Sequence, residues 1–547
     1  EKPGRYAAAE WNAVLHKDAD PSLRMVLAFP DVYEIGMSYH GFRILYERLN
    51  RMDGWAAERV FAPWPDAEAE LKRKDAPLCT LESGLPLRNC HVIGFTLQHE
   101  LLYTNILTML SLGGIPLFSR DRIAPLPLII GGGEGAFSPE PLADFFDLFL
   151  LGDGEDALPE ILSAVQTSTA SNEDRPYLLK RLAGIPGVYV PSLYTPLYRE
   201  NGSFKGILKN DSAAPDIIRA RRYDISREPG PQRPIVPNMR IVQDRLTIEL
   251  RRGCINGCRF CQAGMINRPV RERPADQVMA IARNGIAATG HEEISLLALS
   301  SADYSCLPDL LRSLREEFSP EGVSVALPSI RINACDLDMV ASFESVRRTG
   351  LTLAPEAGSE RLRRVINKPV DDETFLRLVE QAFSLGWQTI KLYFMVGLPT
   401  ETDDDIRLTV RLIRAAEEVA RRRRGRNYKI NVTLSPFVPK AHTPFQWEPR
   451  APMETIRERI EMIRREFRRG NVIIKAHNLS QSRLESVFAR GDRRLSASIL
   501  RAWEMGCRFD SWEDHFREDL WEKAFEQTGV RPEDYAERCF DEDDALP

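Results

Sequence analysis

The sequence predicts an α/β protein with an N-terminal doubly wound domain, a partial (β/α)6 barrel behind it and a mostly helical C-terminal region. Apolar runs of strand length alternate with longer helical stretches in two series, over residues 25–166 and again over 245–450. That rhythm is the signature of parallel strands joined by helices. Between the series, Pro229, Pro231, Pro234 and Pro237 break any regular element, since proline removes a backbone donor and fixes φ. From Met453 onward the chain is charged and patterned as helix. At 547 residues it is several times the usual domain size, so several domains are expected. We divide it into an N-terminal extension (1–24), the doubly wound domain (25–166), a connector (167–244), the barrel (245–450) and the helical region (451–547).

Each element rests on a particular run. In the first domain the candidate strands are 25–29, 92–95, 128–130 and 148–151. The connector carries a small strand near 188–190. In the barrel they are 246–250, 294–299, 323–327, 351–353, 389–394 and 429–434, each followed by a helical or loop stretch. Loops at the C-terminal ends of such strands converge, so cofactor groups are expected there.

Composition limits the function classes. Lys and Arg nearly balance Asp and Glu at a net charge of -6, so global electrostatics favour no particular partner. The sequence shows no apolar run long enough to cross a bilayer and no signal peptide, and a cytoplasmic protein without a membrane partner is expected. Its first residue is Glu1, not methionine, which is consistent with trimming. Nine cysteines, an odd number, suit a reducing compartment better than a disulfide framework. Cys79, Cys90, Cys306, Cys335, Cys507 and Cys539 are scattered and read as buried or idle thiols.

The other three cysteines are grouped. Cys254, Cys258 and Cys261 form a Cys-x3-Cys-x2-Cys triplet directly after the apolar run 246–250. Three thiolates on one short loop can hold three irons of a cubane cluster and leave the fourth open to a small molecule. Zinc sites usually take four ligands and favour paired Cys-x2-Cys spacings, and disulfides belong to oxidising surroundings, so both fit poorly.

With this triplet the sequence resembles the radical S-adenosylmethionine (SAM) enzymes. The resemblance implies a 4Fe-4S cluster on Cys254, Cys258 and Cys261, SAM chelating the open iron, and Phe260 near the adenine. Later strand ends agree. Ser300-Ser-Ala-Asp303 follows the second barrel strand, where Ser300, Ser301 and Asp303 could bond the SAM amino group or form a helix N-cap. Ala354-Pro-Glu-Ala-Gly-Ser359 follows the fourth; Glu356 suits ribose hydroxyls, with Ser359 beside it, and Gly358 permits close approach by a ligand. Val396-Gly-Leu-Pro-Thr-Glu401 follows the fifth and is similar to the family's Gly-x-Pro-x-Glu turn beside the adenine, giving Gly397 and Pro399. Lys440 and His442, in the proline-rich run after the sixth strand, are candidates for substrate or cofactor contact, or parts of a stiffened wall.

The first domain resembles the Rossmann-like, cobalamin-binding type that precedes this barrel in a large subclass. Its loop Asp31-Val-Tyr-Glu-Ile-Gly36 matches the corrinoid signature at Asp31 and Gly36, but Tyr33 stands where the cobalt-ligating histidine would be, and a neutral phenol is a poor ligand. Thr96 and the run Gly131, Gly132, Gly133 follow later strands, where glycines let backbone amides approach a large flat ligand. A domain that has lost its ligand and serves as a lid is the other reading. Residues 29–37, 139–142, 355–360 and 490–494 resemble those of an uncharacterised subfamily of cobalamin-domain radical SAM proteins.

That resemblance implies an enzyme in which one electron, from a donor such as flavodoxin or ferredoxin, breaks the C–S bond of SAM to give methionine and a 5'-deoxyadenosyl radical. The radical takes a hydrogen from an unknown substrate, which a methylcobalamin above the barrel would then methylate. Two alternatives stand beside this methyltransferase: a radical SAM enzyme without corrinoid, acting on RNA or protein, and a non-catalytic iron-sulfur electron-transfer or scaffold protein. Arginines at 421–424 and 457–469 could grip RNA phosphates or be solvated helix faces, since Glu454, Glu458, Glu461 and Glu466 interleave the second group.

Overall fold

The computed structural model describes residues 2–8, 10–15, 21–326, 332, 351–541 and 544–547. Strands β1 (Leu23–Phe29), β2 (Trp55–Phe61), β3 (Val92–Thr96), β4 (Leu128–Gly132), β5 (Leu148–Leu150) and β6 (Val188–Tyr189) form one sheet in the order β2-β1-β3-β4-β5-β6. The first five are parallel and β6 runs against β5. The order reverses between β1 and β3, which opens a crevice at their C-terminal ends, the usual ligand position in a doubly wound sheet. The strand expected in the connector is therefore the edge of this sheet. A hairpin of β7 (Tyr194–Tyr198) and β8 (Phe204–Lys209) follows it.

Strand β2 escapes sequence reading because its centre is Glu58-Arg59, which breaks any apolar run. Both side chains are buried. Glu58 pairs with Arg24, and Arg59 lies between Glu10 and Glu82, 2.6 Å from Glu82. A buried guanidinium is tolerable only with its carboxylates in place.

The barrel strands are β9 (Leu246–Glu249), the short pair β10 (Arg251–Arg252) and β11 (Arg271–Glu272), β12 (Glu293–Leu297), β13 (Ser324–Ala326), β14 (Leu351–Glu356), β15 (Thr389–Val396), β16 (Lys429–Pro436) and β17 (Val472–Ala476). The others form two parallel sheets, β13-β12-β9 and β14-β15-β16-β17, while β10 and β11 pair antiparallel on their own. Along β9 the alternation has a direct consequence. Leu246, Ile248 and Leu250 pack outward on Val278, Ile281, Leu310 and Leu314 of two flanking helices, which leaves Thr247, Glu249 and Arg251 for the inner side. The sixth expected strand is followed by a seventh, β17, so the region after residue 450 is not all helix.

Nor does that region stand apart. Leu484, Val487, Phe488, Leu495, Ile499, Trp521 and Phe525 join the core of the first domain. Thr104 Oγ1 donates to Asp510 at 2.6 Å, and Trp512 Nε1 to Asp31 at 3.0 Å. The chain thus returns from the barrel to cover the doubly wound sheet. Cys335 lies outside the described residues. Cys90 and Cys507 are buried, Cys79 is half-buried, and Cys306 and Cys539 are exposed. Among the described residues no helix is long and apolar enough to cross a membrane.

Replacing Arg59 with Ala leaves Glu10 and Glu82 buried without their counter-charge, and is expected to destabilise the first domain by about 3–5 kcal/mol. Denaturant unfolding followed by tryptophan fluorescence checks this; an unchanged midpoint contradicts it.

Candidate active site

The cysteine loop is held from several directions. Cys254 and Cys258 lie on the loop after β10, and Cys261 caps the helix Gln262–Ile266, accepting the Gly264 N–H at 3.3 Å. Asn256 donates to Cys254 Sγ at 3.3 Å and to Asp303 at 3.0 Å. Asn367 donates to the Gly257 carbonyl at 2.9 Å, and the Arg259 N–H reaches the Ile366 carbonyl at 3.0 Å. Gly253, at φ +86, has no room for a side chain: a Cβ there would stand 2.6 Å from the Asn267 carbonyl.

The sulfurs fit an iron-sulfur cluster. All three cysteines are half-buried. Burial pushes the Cys261 thiol up to about 11; the Gly264 N–H opposes this, and the neighbouring Cys258 and Cys254 push it further. Three thiolates gathered there need a cationic centre, whose binding displaces their protons. A structural zinc site takes four protein ligands, whereas this loop offers three sulfurs, the number that a cubane with one open iron requires.

The strand ends expected to surround the cluster do converge, with different roles for several residues. Phe260 packs with Ala357, Leu398, Phe437 and Phe445, which brings the ends of β14, β15 and β16 beside the cysteine loop. Ser300 occupies an N-cap position without making a cap bond, and its buried Oγ has no hydrogen-bond partner; that orphaned oxygen favours a ligand contact over a cap. Ser301 is fully buried, bonded to the Leu296 carbonyl at 3.4 Å. Glu356 sits at φ +68 and holds Lys368 at 2.8 Å, so its carboxylate is already engaged. Gly397 (φ +83) donates its N–H to Glu401 at 2.7 Å, with Pro399 half-buried in the same turn. Burial raises Glu401 to about 7 against the pull of that N–H and of Arg459, 2.9 Å away.

Two expectations at the fourth strand end need correction. A Cβ on Gly358 would strike the Thr409 backbone, so this glycine admits the helix Asp403–Arg424 and not a ligand. Ser359 caps the helix Glu360–Val365 through the Leu362 N–H at 3.1 Å and bonds Asp405; it is committed to structure.

A cavity of about 600 Å³ lies between the two domains. One wall is a face of the first sheet: Met25 and Leu27 of β1, Gly94 and Thr96 of β3, Gly132 of β4 and Leu150 of β5. The other is the inner side of the barrel, with Thr247, Glu249 and Arg251 near β9 and Ser295 and Leu297 of β12. Gly253, the residue before Cys254, lines it too. A Cβ on Gly132 would meet nothing within 4 Å, so this strand end is open to a ligand. Gly133 lines the cavity at φ +99. Gly131 does not: its Cβ would stand 2.6 Å from the Phe149 ring, so it serves packing.

The loop with the corrinoid-like signature is also committed elsewhere. Tyr33 is fully buried and donates to Glu10; Asp31 accepts from the Val32 N–H at 2.7 Å and from Trp512; a Cβ on Gly36 would strike the Phe61 ring. None of the three lines the cavity, so Tyr33 is no cobalt ligand. Sequence reading pointed to the loops 131–134 and 151–155, which do line the cavity in part, but gave their polar side chains no role. His40, which burial lowers to about 4, and Glu134, which burial raises, both face the cavity. Glu134 directly follows the glycine run, and that position could have signalled it.

Lys440 and His442 form a latch. Lys440 pairs with Glu100 of the first domain at 2.6 Å and with Glu485 of the C-terminal region at 2.8 Å, while His99 lies 3.5 Å from Glu485. His442, at φ +61, bonds the Phe137 carbonyl at 2.8 Å. In the second arginine group Arg457 pairs with Glu454, Arg459 with Glu401 and Arg464 with Glu461, while Arg465, Arg468 and Arg469 are exposed.

Burial raises the Glu485 carboxyl, but Lys440 and His99 outweigh it and hold it well below the usual range. The stability this confers is present above the unfolded carboxylate pKa and lost as pH falls through the folded value. Lys440→Met leaves Glu100 and Glu485 facing each other, so its melting temperature should fall near pH 7.5 and recover part of the deficit near about pH 5, where one carboxyl takes a proton. Melting curves at both pH values check this; an equal deficit at both contradicts it.

Residues 248–413 match the family described as "Radical SAM superfamily", and residues 41–191 that described as "Radical SAM proteins, N-terminal". The uncharacterised protein MJ0966 of Methanocaldococcus jannaschii is 27% identical over 422 residues, 76% of this chain and 81% of its own length. A ribosomal protein uS12 methylthiotransferase, RimO of Symbiobacterium thermophilum, is 27% identical over 180 residues, 31% of this chain and 36% of its own. In fold, the chain is similar to the radical S-adenosylmethionine methyltransferase TsrM of Kitasatospora setae. The TM-score is 0.52 for its complex with tryptophan and a SAM analogue, at 15% identity over 78% of this chain and 75% of that one. It is 0.50 for the form with cobalamin and a 4Fe-4S cluster, at 16% identity over 78% and 74%.

Proposed function

The chain belongs to the radical SAM superfamily, and on that premise we propose that it is a cobalamin-dependent methyltransferase acting on an unactivated position of its substrate. The observation that carries this reading is the shared cavity. Its walls are one face of a doubly wound sheet and the inner side of the barrel beside the cysteine loop. A corrinoid on the first wall would face the reaction centre on the second with no protein layer between them.

The roles of the residues follow from their places. Cys254, Cys258 and Cys261 would hold the cluster, which with SAM supplies one-electron cleavage of the C–S bond to methionine and a 5'-deoxyadenosyl radical. Phe260, held among the apolar strand ends, would lie against the adenine, and the orphaned Ser300 Oγ would meet a polar group of SAM. Thr96, Gly132 and Gly133 would line the corrinoid's bed. The Lys440 latch keeps the domains closed over the cavity and excludes water, which radical chemistry requires.

Two substitutions separate the cofactors. Cys258→Ala should abolish 5'-deoxyadenosine formation in the reconstituted protein while the chain stays folded by circular dichroism; persistent product contradicts the cluster assignment. Gly132→Leu fills the open strand end and should abolish retention of hydroxocobalamin through desalting while leaving SAM cleavage within about twofold of wild type. If wild type itself retains no corrinoid absorbance, the corrinoid reading fails and radical chemistry without it takes its place.

A further inference from the structure

Two adjacent arginines line the cavity and differ in their partners. Arg252 is saturated, with Glu249 at 3.0 Å, Asp153 at 2.9 Å and Glu155 at 2.7 Å. Arg251 is 4% exposed, and its Nε and Nη1 make no hydrogen bond. Among the described residues its single ion pair is a long one, 3.6 Å from Nε to Glu272, whose other oxygen accepts from the Ser305 hydroxyl at 2.7 Å. A guanidinium taken out of water without acceptors costs several kcal/mol. Such a group persists where something else supplies the acceptors.

We propose that Arg251 is the docking point for an oxyanion, a carboxylate or a phosphate, carried by the substrate that enters the cavity. Arg251 stands on the barrel wall, three residues before Cys254, so an anion seated on it brings the rest of its molecule beside the cluster. The guanidinium fork matches the planar or trigonal oxygens of either group. Arg252 engages Asp153, Glu155 and Glu249, and Glu272 is the one carboxylate that reaches Arg251, at 3.6 Å. The inference rests on reading the cavity as a reaction chamber, and it fails separately: Cys258→Ala addresses the chamber, and substitutions at Arg251 address the anion.

Thermal unfolding of the full chain, reconstituted with iron and sulfide, tests it with inorganic phosphate or acetate added against chloride at equal ionic strength. Wild type should melt higher with one of the two anions, phosphate marking a phosphorylated substrate and acetate a carboxylic acid. Arg251→Gln should lose that rise and Arg251→Lys keep part of it. Without added anion, Arg251→Gln should melt no lower than wild type, because it removes a buried charge whose one ion pair is long. A lower melting temperature for Arg251→Gln, or no anion-specific rise in wild type, overturns the proposal. SAM affinity and hydroxocobalamin retention should stay within about twofold in Arg251→Gln; a loss of about tenfold in either assigns the anion to a cofactor and overturns the substrate assignment.

Discussion

Three sulfur ligands gathered on one half-buried loop are the constraint from which the rest of the structure follows. Thiols brought together away from bulk water resist ionising, and the loop keeps its shape because its backbone is clamped. The clamps come from different strand ends. Asn256 ties Cys254 to Asp303 after β12, and Asn367 and Ile366, beyond β14, grip Gly257 and Arg259. The loop therefore takes its form only when two separate sheets have assembled, which couples the cluster site to the folding of the whole barrel.

A second coupling joins the barrel to the doubly wound domain. The C-terminal region leaves the barrel through β17 and packs into the core of the first domain. Lys440 then bridges carboxylates from both sides, and Asp510 and Asp31 receive hydrogen bonds across the same interface. These buried contacts are satisfied only in the closed arrangement, so the cavity between the domains is a built feature of the fold and not a gap left by loose packing.

Much of this was legible in the sequence, and the failures have physical causes. Apolar runs marked eleven of the strands because those strands bury one or both faces. Strand β2 stayed hidden because buried ion pairs replace its central apolar residues, and β17 because Ile473 and Lys475 face outward between buried Val472 and half-buried Ile474 in a charged region. The cysteine triplet was legible as a group, since its short spacing keeps the three thiols on one loop, which the structure leaves half-buried. Glycines were only half legible: Gly132 opens the cavity, whereas Gly36, Gly131 and Gly358 make room for a ring or a helix, and the letter is the same in both uses. Tyr33 carries a signature position, but its hydroxyl is committed to Glu10. Arg251 left no mark, because unmade hydrogen bonds are a property of three dimensions.

The central claim is that Cys254, Cys258 and Cys261 hold a cluster with one iron open to SAM. Mössbauer and electron paramagnetic resonance spectra of the anaerobically reconstituted full chain, recorded with and without SAM, test it most directly. The account predicts a 4Fe-4S cluster whose reduced-state resonance changes when SAM is added. Stoichiometric zinc in place of iron, or a cluster spectrum indifferent to SAM, would contradict it.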